Sequence, residues 1–395
     1  MSEIKVNSIK GVGARAAAIT VNNTDGTCTA NLTNRTNKNL VINGDFRVAQ
    51  RGTSTTSQGY QTVDRILFGY SGHDEGLTQS QGDVASGTTP YTLGFRKTFK
   101  VTNGNQTSGA GSSDYVYIDY SFEAQDIANS GWNYTSASSF VTFSFWVKSS
   151  VAQAFKGYFI TSDGSTYSYA FDTGSLSADT WTKVTKTIPG NSNLTINNDN
   201  GKGLGWAIWP FIGTDLTDNS QSEDAWVTHS GSARTPDQTT TWYTTDNATF
   251  EVTGVQLEVG SVATDFEHRS ISDELLRCYR YFQILSSNTS GGLNAHSRYP
   301  MFGNGNNLAI WYAYHKATMR VKPSLVKSNI TTTTMDIFNY SAGATATFSN
   351  MVMAEGDENH SQIVCSTTNN ISIAQIISWR WSVNQDCYFA VESEL

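Results

Sequence analysis

Tyr115, Tyr117 and Trp146 are aromatic residues on what should be the polar side of their strands. In YVYIDYSFEA a period of two puts Val116, Ile118, Tyr120 and Phe122 on one face. It leaves Tyr115 and Tyr117 with Asp119 and Ser121 on the other. In FVTFSFWVKSS the same count separates Val141, Phe143, Phe145 and Val147 from Thr142, Ser144, Trp146 and Lys148. A ring held flat on a sheet offers a platform to a sugar ring, and nearby Asn, Asp and Gln side chains supply directional hydrogen bonds. The competing explanation is burial of these rings under a loop, a second sheet or a neighbouring subunit. Tyr115, Tyr117 and Trp146 are the candidate ligand-binding residues. Trp206 and Trp209 lie in the nearly continuous apolar run GLGWAIWPFIG, where core or interface burial is expected instead.

Reaction chemistry finds little support. The six histidines (His73, His229, His268, His296, His315, His360) are dispersed, with no HxH or HExxH spacing. There is no GxSxG, Walker or dinucleotide fingerprint, and GNGNNLAIW leads into a strand rather than a helix. A carboxylate pair for glycoside hydrolysis stays open, since two acids ~5–10 Å apart can be remote in sequence. Most acids, however, fall in loops such as SGHDEG, SQSEDAW and AEGDENH, where solvated charge is the ordinary outcome. Asp163 and Asp199 sit in Asn/Gly/Ser loops without the 12-residue calcium pattern. Four cysteines without CxxC spacing argue against zinc; Cys365 and Cys387 are read as free thiols, with pairing as the alternative. The expectation is no catalytic residue, no metal and no cofactor: not an enzyme.

The elements behind these residues are strands. Charged residues form only 15% of the 395, while aromatics reach 12%, so polarity rests on Ser, Thr, Asn and Gly. That mixture suits half-buried strands joined by polar turns. The net charge of -8 and the lack of a Lys/Arg cluster exclude a nucleic-acid footprint. No apolar run reaches the roughly 18 residues of a membrane span. The expected fold class is all-β: a jelly-roll/β-sandwich domain plus a smaller C-terminal β-sandwich, joined by one short helix. The boundaries read as an N-terminal segment 1–38, a main domain 39–269, a connector helix 270–286 and a C-terminal β domain 287–395. The helix rests on SISDELLRCYRYFQIL, where Ser270 and Asp273 form a capping box and Leu275, Cys278, Tyr279 and Phe282 share a face. MRVKPSLV reads as an edge strand interrupted by Pro323. In NLVINGDFRVAQRG the Asn43-Gly44 step reads as a bulge in a strand, letting Phe46 enter the core after Leu40 and Ile42 have paired.

Two blocks carry a family resemblance. NLVINGDFRVAQRG resembles the opening of a domain of phage tail-fibre and other virion structural proteins, marine cyanophage-type proteins especially. TFEVTGVQLEVGSVATDFEHRSISDELLRCYRYFQ resembles its closing block. There a strand ending Gln-Leu-Glu (Gln256, Leu257, Glu258) precedes Gly260, a Thr-x-Phe-Glu step (Thr264 to Glu267) and an acidic helix ending Cys-x-Arg-Tyr (Cys278 to Tyr281). The likeness spans residues 39 to 283. It implies a jelly roll similar to carbohydrate-binding modules on a homotrimeric virion appendage, with residues 1–38 joining other virion proteins and a host cell-surface glycan as ligand. No catalytic motif comes with it. The absence of a repeat or coiled-coil shaft favours a short fibre, spike or fibre adaptor. The alternatives are a polysaccharide depolymerase tailspike and a bacterial secreted glycan-binding adhesin.

Overall fold

The computed structural model describes residues 8–9, 19–21, 28–30, 37–288, 295–296, 301–303, 307–331, 335–339, 344–368, 371, 376–381 and 387–395. Strands β1 (Ser8–Ile9), β2 (Ile19–Val21) and β3 (Cys28–Ala30) form a small antiparallel sheet. The rest of the segment 1–36 lies outside the described residues.

The main domain is a sandwich of two six-stranded sheets. Its strands are β4 (Ser54–Thr55), β5 (Leu67–Ser71), β6 (Thr78–Asp83), β7 (Lys97–Thr102), β8 (Tyr115–Glu123) and β9 (Phe140–Ser149). They continue as β10 (Lys156–Thr161), β11 (Tyr167–Asp172), β12 (Thr182–Pro189), β13 (Lys202–Ile212), β14 (Trp226–Thr228) and β15 (Thr249–Val259). Sheet I has the order β14-β11-β10-β13-β8-β5, and sheet II the order β12-β9-β15-β7-β6-β4. Two short helices, α1 (Thr89–Thr92) and α2 (Ala124–Ala128), sit between strands. The alternation read from β8 and β9 holds: their apolar residues are buried and form the core between the sheets. Phe143 of β9 meets Trp206 of β13 at 5.6 Å, and Trp206 stacks on Tyr120 of β8.

β15 is buried along almost its whole length, although only Phe250, Val252, Val255 and Leu257 face the core. The segment 260–268 folds back over its outer side. Glu258 accepts from the Thr264 amide at 2.8 Å and hydroxyl at 2.6 Å, and Gln256 Oε1 accepts from the Glu267 amide at 2.9 Å. The Phe95 ring, packed on Phe266 and His268, fills the space beside Gly254, where a Cβ would lie 2.6 Å from the ring.

The NLVINGDFRVAQRG stretch departs from the expected bulged strand. Residues 41–45 are bend and turn, not strand. Asn43 (φ 61°) donates to the Val48 and Asp64 carbonyls and accepts from the Val48 amide, which folds the turn around its side chain. Leu40 N donates to Leu257 O and Val255 N to Gly44 O, so the turn is seated on β15. Gly44 is needed because a Cβ there would stand 2.1 Å from the Val255 carbonyl oxygen. Phe46 does reach the core.

Helix α3 (Ile271–Cys278) carries the expected cap, with Ser270 Oγ accepting from Asp273 N at 3.1 Å. It is shorter than the expected 270–286. Phe282 onward leaves the helix to pair with the last strand of the chain, because Phe282 and Ile284 find strand partners in Glu392 and Ala390. Cys278 and Phe282 of the expected face are fully buried and Leu275 and Tyr279 half-buried, Glu274 is buried beside them, and Leu276 is exposed. Glu274 is drawn inward by the Asn43 amide and Arg269.

The C-terminal unit holds β16 (Phe282–Asn288), β17 (Ala295–His296), β18 (Met301–Gly303), β19 (Leu308–Tyr314), β20 (Ser324–Ser328) and β21 (Met335–Asn339). It ends with β22 (Ala344–Gly356), β23 (His360–Thr367), β24 (Ile376–Trp381) and β25 (Cys387–Glu392). A three-stranded sheet β16-β25-β20 packs on a seven-stranded one, β17-β24-β18-β19-β23-β22-β21, which closes on itself through a β24–β21 pairing. β20 begins directly after Pro323 and is an edge strand. Cys365 and Cys387 are buried in this core as thiols, not joined in a disulfide. The fold is thus all-β, two sandwich units with a short helix between them.

Candidate functional site

The outer face of sheet I carries an aromatic cluster. On β8 the inward turn of Val116, Ile118 and Tyr120 leaves Tyr115, Tyr117 and Asp119 outward. On β13, Trp206, Ile208 and Phe211 face the core, so Ala207, Trp209 and Ile212 face out across the register shift between Ile208 and Phe211. On β10, Phe159 points in and Tyr158 out. The rings meet across three strands. Trp209 stacks on Tyr158 at 5.8 Å, lies 5.3 Å from Tyr117 and takes the edge of Tyr115 at 6.2 Å. Trp209 is 2% exposed and Tyr158 8%, whereas Tyr115 and Tyr117 are half-buried and open to solvent. Gly69 on β5 makes room for Tyr117, since a Cβ there would stand 2.5 Å from its ring.

The segment from Gly213 to Gln238, loop on either side of the short edge strand β14, borders the cluster. Its short 3-10 turn Thr214–Leu216 places Leu216 against the aromatic rings. The loop is tied down by Asp237, which accepts from Thr217 and from Asn219 at 2.7 Å, and by Gln238 Nε2 donating to the Trp209 and Pro210 carbonyls. It delivers Arg234, whose guanidinium lies 5.4 Å from the Trp209 ring centre, and His229, 6.0 Å from Tyr158. Burial, with Arg234 beside it, lowers the His229 pKa. Burial raises that of Tyr117, with Asp119 adding to it, and burial alone pushes Asp119 up against the pull of Lys202. Asp119 faces Lys202 Nζ at 3.9 Å. Four buried polar atoms here and in the bordering loop have no hydrogen-bond partner: Trp209 Nε1, Ser168 Oγ, His229 Nδ1 and Gln221 Nε2. Aromatic faces with unfilled polar positions at their rim suit a ligand with both apolar faces and hydroxyls.

Of the three residues picked from the sequence, Tyr115 and Tyr117 lie side by side in this cluster, 5.8 Å apart. Trp146 does not join them. It stands half-buried on the outer face of sheet II, with Lys183 and Thr253 as cross-strand neighbours. Trp206 is core as expected, but Trp209 faces outward and is buried by its aromatic neighbours and the loop. Tyr158, Trp209, His229 and Arg234 were not singled out. Strict alternation from Trp206 would have turned Trp209 outward, whereas no local signal brings a loop histidine and arginine to a distant strand.

Open depressions of about 550 and 590 Å³ lie elsewhere, beside α3 and α2, and are lined by residues such as Asn37, Asp126, Asp273 and Arg277. Among the described residues no group of three or more His, Cys, Asp or Glu side chains could hold a metal ion. No helix among them is long and apolar enough to cross a membrane.

The sequence matches no known protein family and no curated protein. Among solved structures the chain is similar to the enzymatically active domain of bacteriophage CBA120 tailspike protein 4 (8% identity, TM-score 0.31), over 56% of this chain and 22% of that one. It is similar to the N-terminal cellulose-binding domain of Cellulomonas fimi β-1,4-glucanase C (10% identity, TM-score 0.26), over 55% of this chain and 99% of that one. A third is the family 11 carbohydrate-binding module of Clostridium thermocellum, solved with a mixed-linked tetrasaccharide (12% identity, TM-score 0.23, 55% and 98%). These are likenesses of strand arrangement, and no residue role is carried over from them.

Proposed function

We propose that this chain is a non-enzymatic glycan-binding protein that uses the outer face of sheet I. The observation carrying the reading is the cluster of Tyr115, Tyr117, Tyr158 and Trp209, flanked by Asp119, Lys202, His229 and Arg234. Tyr115 and Tyr117 present open rings for a sugar face to stack on, the buried Trp209 and Tyr158 hold them in place, and the charged rim supplies hydrogen bonds to hydroxyls. The resemblance of residues 39 to 283 to virion domains supports a role in a phage particle, as a short trimeric fibre, spike or fibre adaptor attached through residues 1–38. Host cell-surface glycan is then the ligand.

A glycan array with the purified chain tests the binding. In titrations against a hit, Tyr115→Ala/Tyr117→Ala is expected to weaken affinity at least about thirtyfold, the ~2 kcal/mol of an aromatic hot spot. Trp146→Ala, on the other sheet, should leave it unchanged. Equal losses from both, or none from the double variant, would remove sheet I as the site. Mass spectrometry and cryo-electron microscopy of the purified particle test the virion assignment, and light scattering the trimer.

A further inference from the structure

Arg234 is the charge on the aromatic face that nothing balances. Its guanidinium lies over Trp209, and it is near enough to Tyr117, Tyr158 and His229 to act electrostatically on all three. Among the described residues no carboxylate comes within ion-pair distance of it, and its one side-chain hydrogen bond is from Nε to the Gly231 carbonyl at 3.1 Å. Four arginines that close the sandwich are spent on acids, Arg51 and Arg65 on Glu394, Arg269 on Glu267 and Arg280 on Glu123, whereas Arg96, over the Tyr91 ring, meets only carbonyls. On sheet I itself Asp119 is matched by Lys202, and Lys156 is held by Asp172 and Glu223. Beneath Arg234 the Trp209 indole N–H is a second donor with no acceptor. A guanidinium left with its fork of N–H groups unpaired, over a ring and beside other donors, is arranged for a planar or tetrahedral oxyanion.

We infer that the glycan taken by this face is acidic, with Arg234 receiving a carboxylate or sulfate group while the sugar ring rests on Tyr115 and Tyr117. The inference rests on the glycan-binding reading above. It runs against the chain's overall charge of -8, so the preference must come from this local site and not from long-range attraction.

The test is calorimetric titration of the full chain with two matched pairs of oligosaccharides. One pair is oligogalacturonate and its fully methyl-esterified form; the other is sulfated carrageenan oligomers and the same oligomers after desulfation. At least one charged member is expected to bind about tenfold or more tightly than its neutral counterpart, in keeping with one charge-assisted hydrogen bond. The pair that responds identifies the group as carboxylate or sulfate. Arg234→Gln should abolish that preference while leaving the thermal transition unchanged, and Arg234→Lys should restore part of it. Equal binding within both pairs, or a preference that survives Arg234→Gln, overturns the acidic assignment while leaving the glycan face intact. If the wild-type chain binds none of the four and no sugar on the array, both readings fall together.

Discussion

Glu394 joins the two sandwich units, and removing it should loosen them. The residue is 4% exposed at its side chain and lies between two arginines of the main domain that are themselves 3% and 1% exposed. Its Oε1 is 3.1 Å from Arg51, and its Oε2 is hydrogen-bonded to Arg65. The arginines in turn lie flat on the residues that follow α3, Arg51 at 3.7 Å from the Phe282 ring centre and Arg65 at 3.5 Å from that of Tyr281. Glu394→Ala does not strand both cations equally. Arg51 keeps Glu392 at 3.2 Å and Asp64 at 3.9 Å, while Arg65 keeps the Ser121 carbonyl and no carboxylate among the described residues. One buried, uncompensated guanidinium costs about 3–5 kcal/mol. With a urea slope of ~2–3 kcal/mol/M, the transition reported by tryptophan fluorescence should move down by roughly 1–2 M. The cost comes from the stranded charge rather than from a lost attraction, so Arg65→Met/Glu394→Leu should recover most of it. A shift below about 0.3 M (under 1 kcal/mol at that slope), or a double variant no better than Glu394→Ala, would refute this reasoning.

Three further outcomes concern the main domain. Gly44→Ala places a methyl group 2.1 Å from the Val255 carbonyl oxygen, against backbone that is itself hydrogen-bonded to Gly44, and should cost about 1–3 kcal/mol in urea unfolding. Gly87→Ala meets nothing within 4 Å, so only the strain of its φ of 84° should appear, ~1 kcal/mol. Asp64 is fully enclosed, and burial, offset in part by Arg51 and Gln50, lifts its pKa from 3.8 to about 6. The folded chain therefore holds the extra proton between those values, so this group's contribution to stability falls as pH rises from 4 to 6 and returns on acidification. Asp64→Asn should remove that component from stability measured against pH, and parallel wild-type and variant curves over the window would contradict it.

How much of this was legible in sequence depends on how far apart the partners lie. The faces of β8 and β9 follow from alternation within ten residues, and the α3 cap from a spacing of three, so both could be read directly. The pairing of Glu394 with Arg51 and Arg65 spans more than 300 residues and leaves no local trace. The outer cover of β15 was hidden although its partners are near in sequence, because a chain folding back over its own strand has no periodic signature: Gln256 and Glu258 look like solvent-facing positions until the returning Thr264 and Glu267 amides are seen to use them. α3 ended early because the strand partners of Phe282 and Ile284 sit at the far end of the chain.

The two motif blocks gain a physical meaning from this. Asn39 bonds the Leu257 amide and the Val255 carbonyl, Asn43 shapes the turn seated on β15, and Glu267 accepts from the Asn39 amide at 2.8 Å. Arg280 and Tyr281 close on Glu123 at 2.6 Å. The Asn39 and Glu267 contacts tie the opening of the domain to its end, those of Arg280 and Tyr281 tie that end to β8, and none points to the aromatic face. Sharing these blocks therefore reports a shared way of closing a sandwich, whereas the proposed glycan face is built from residues outside them: Tyr115 and Tyr117, Tyr158, Trp209, and the 213–238 segment that brings Arg234. A chain with the same blocks and a different loop should keep the fold and change its sugar. Replacing Arg234 alone by a neutral residue, with β14 and the rest of 213–238 kept, should therefore leave the urea midpoint in place while the acidic preference disappears.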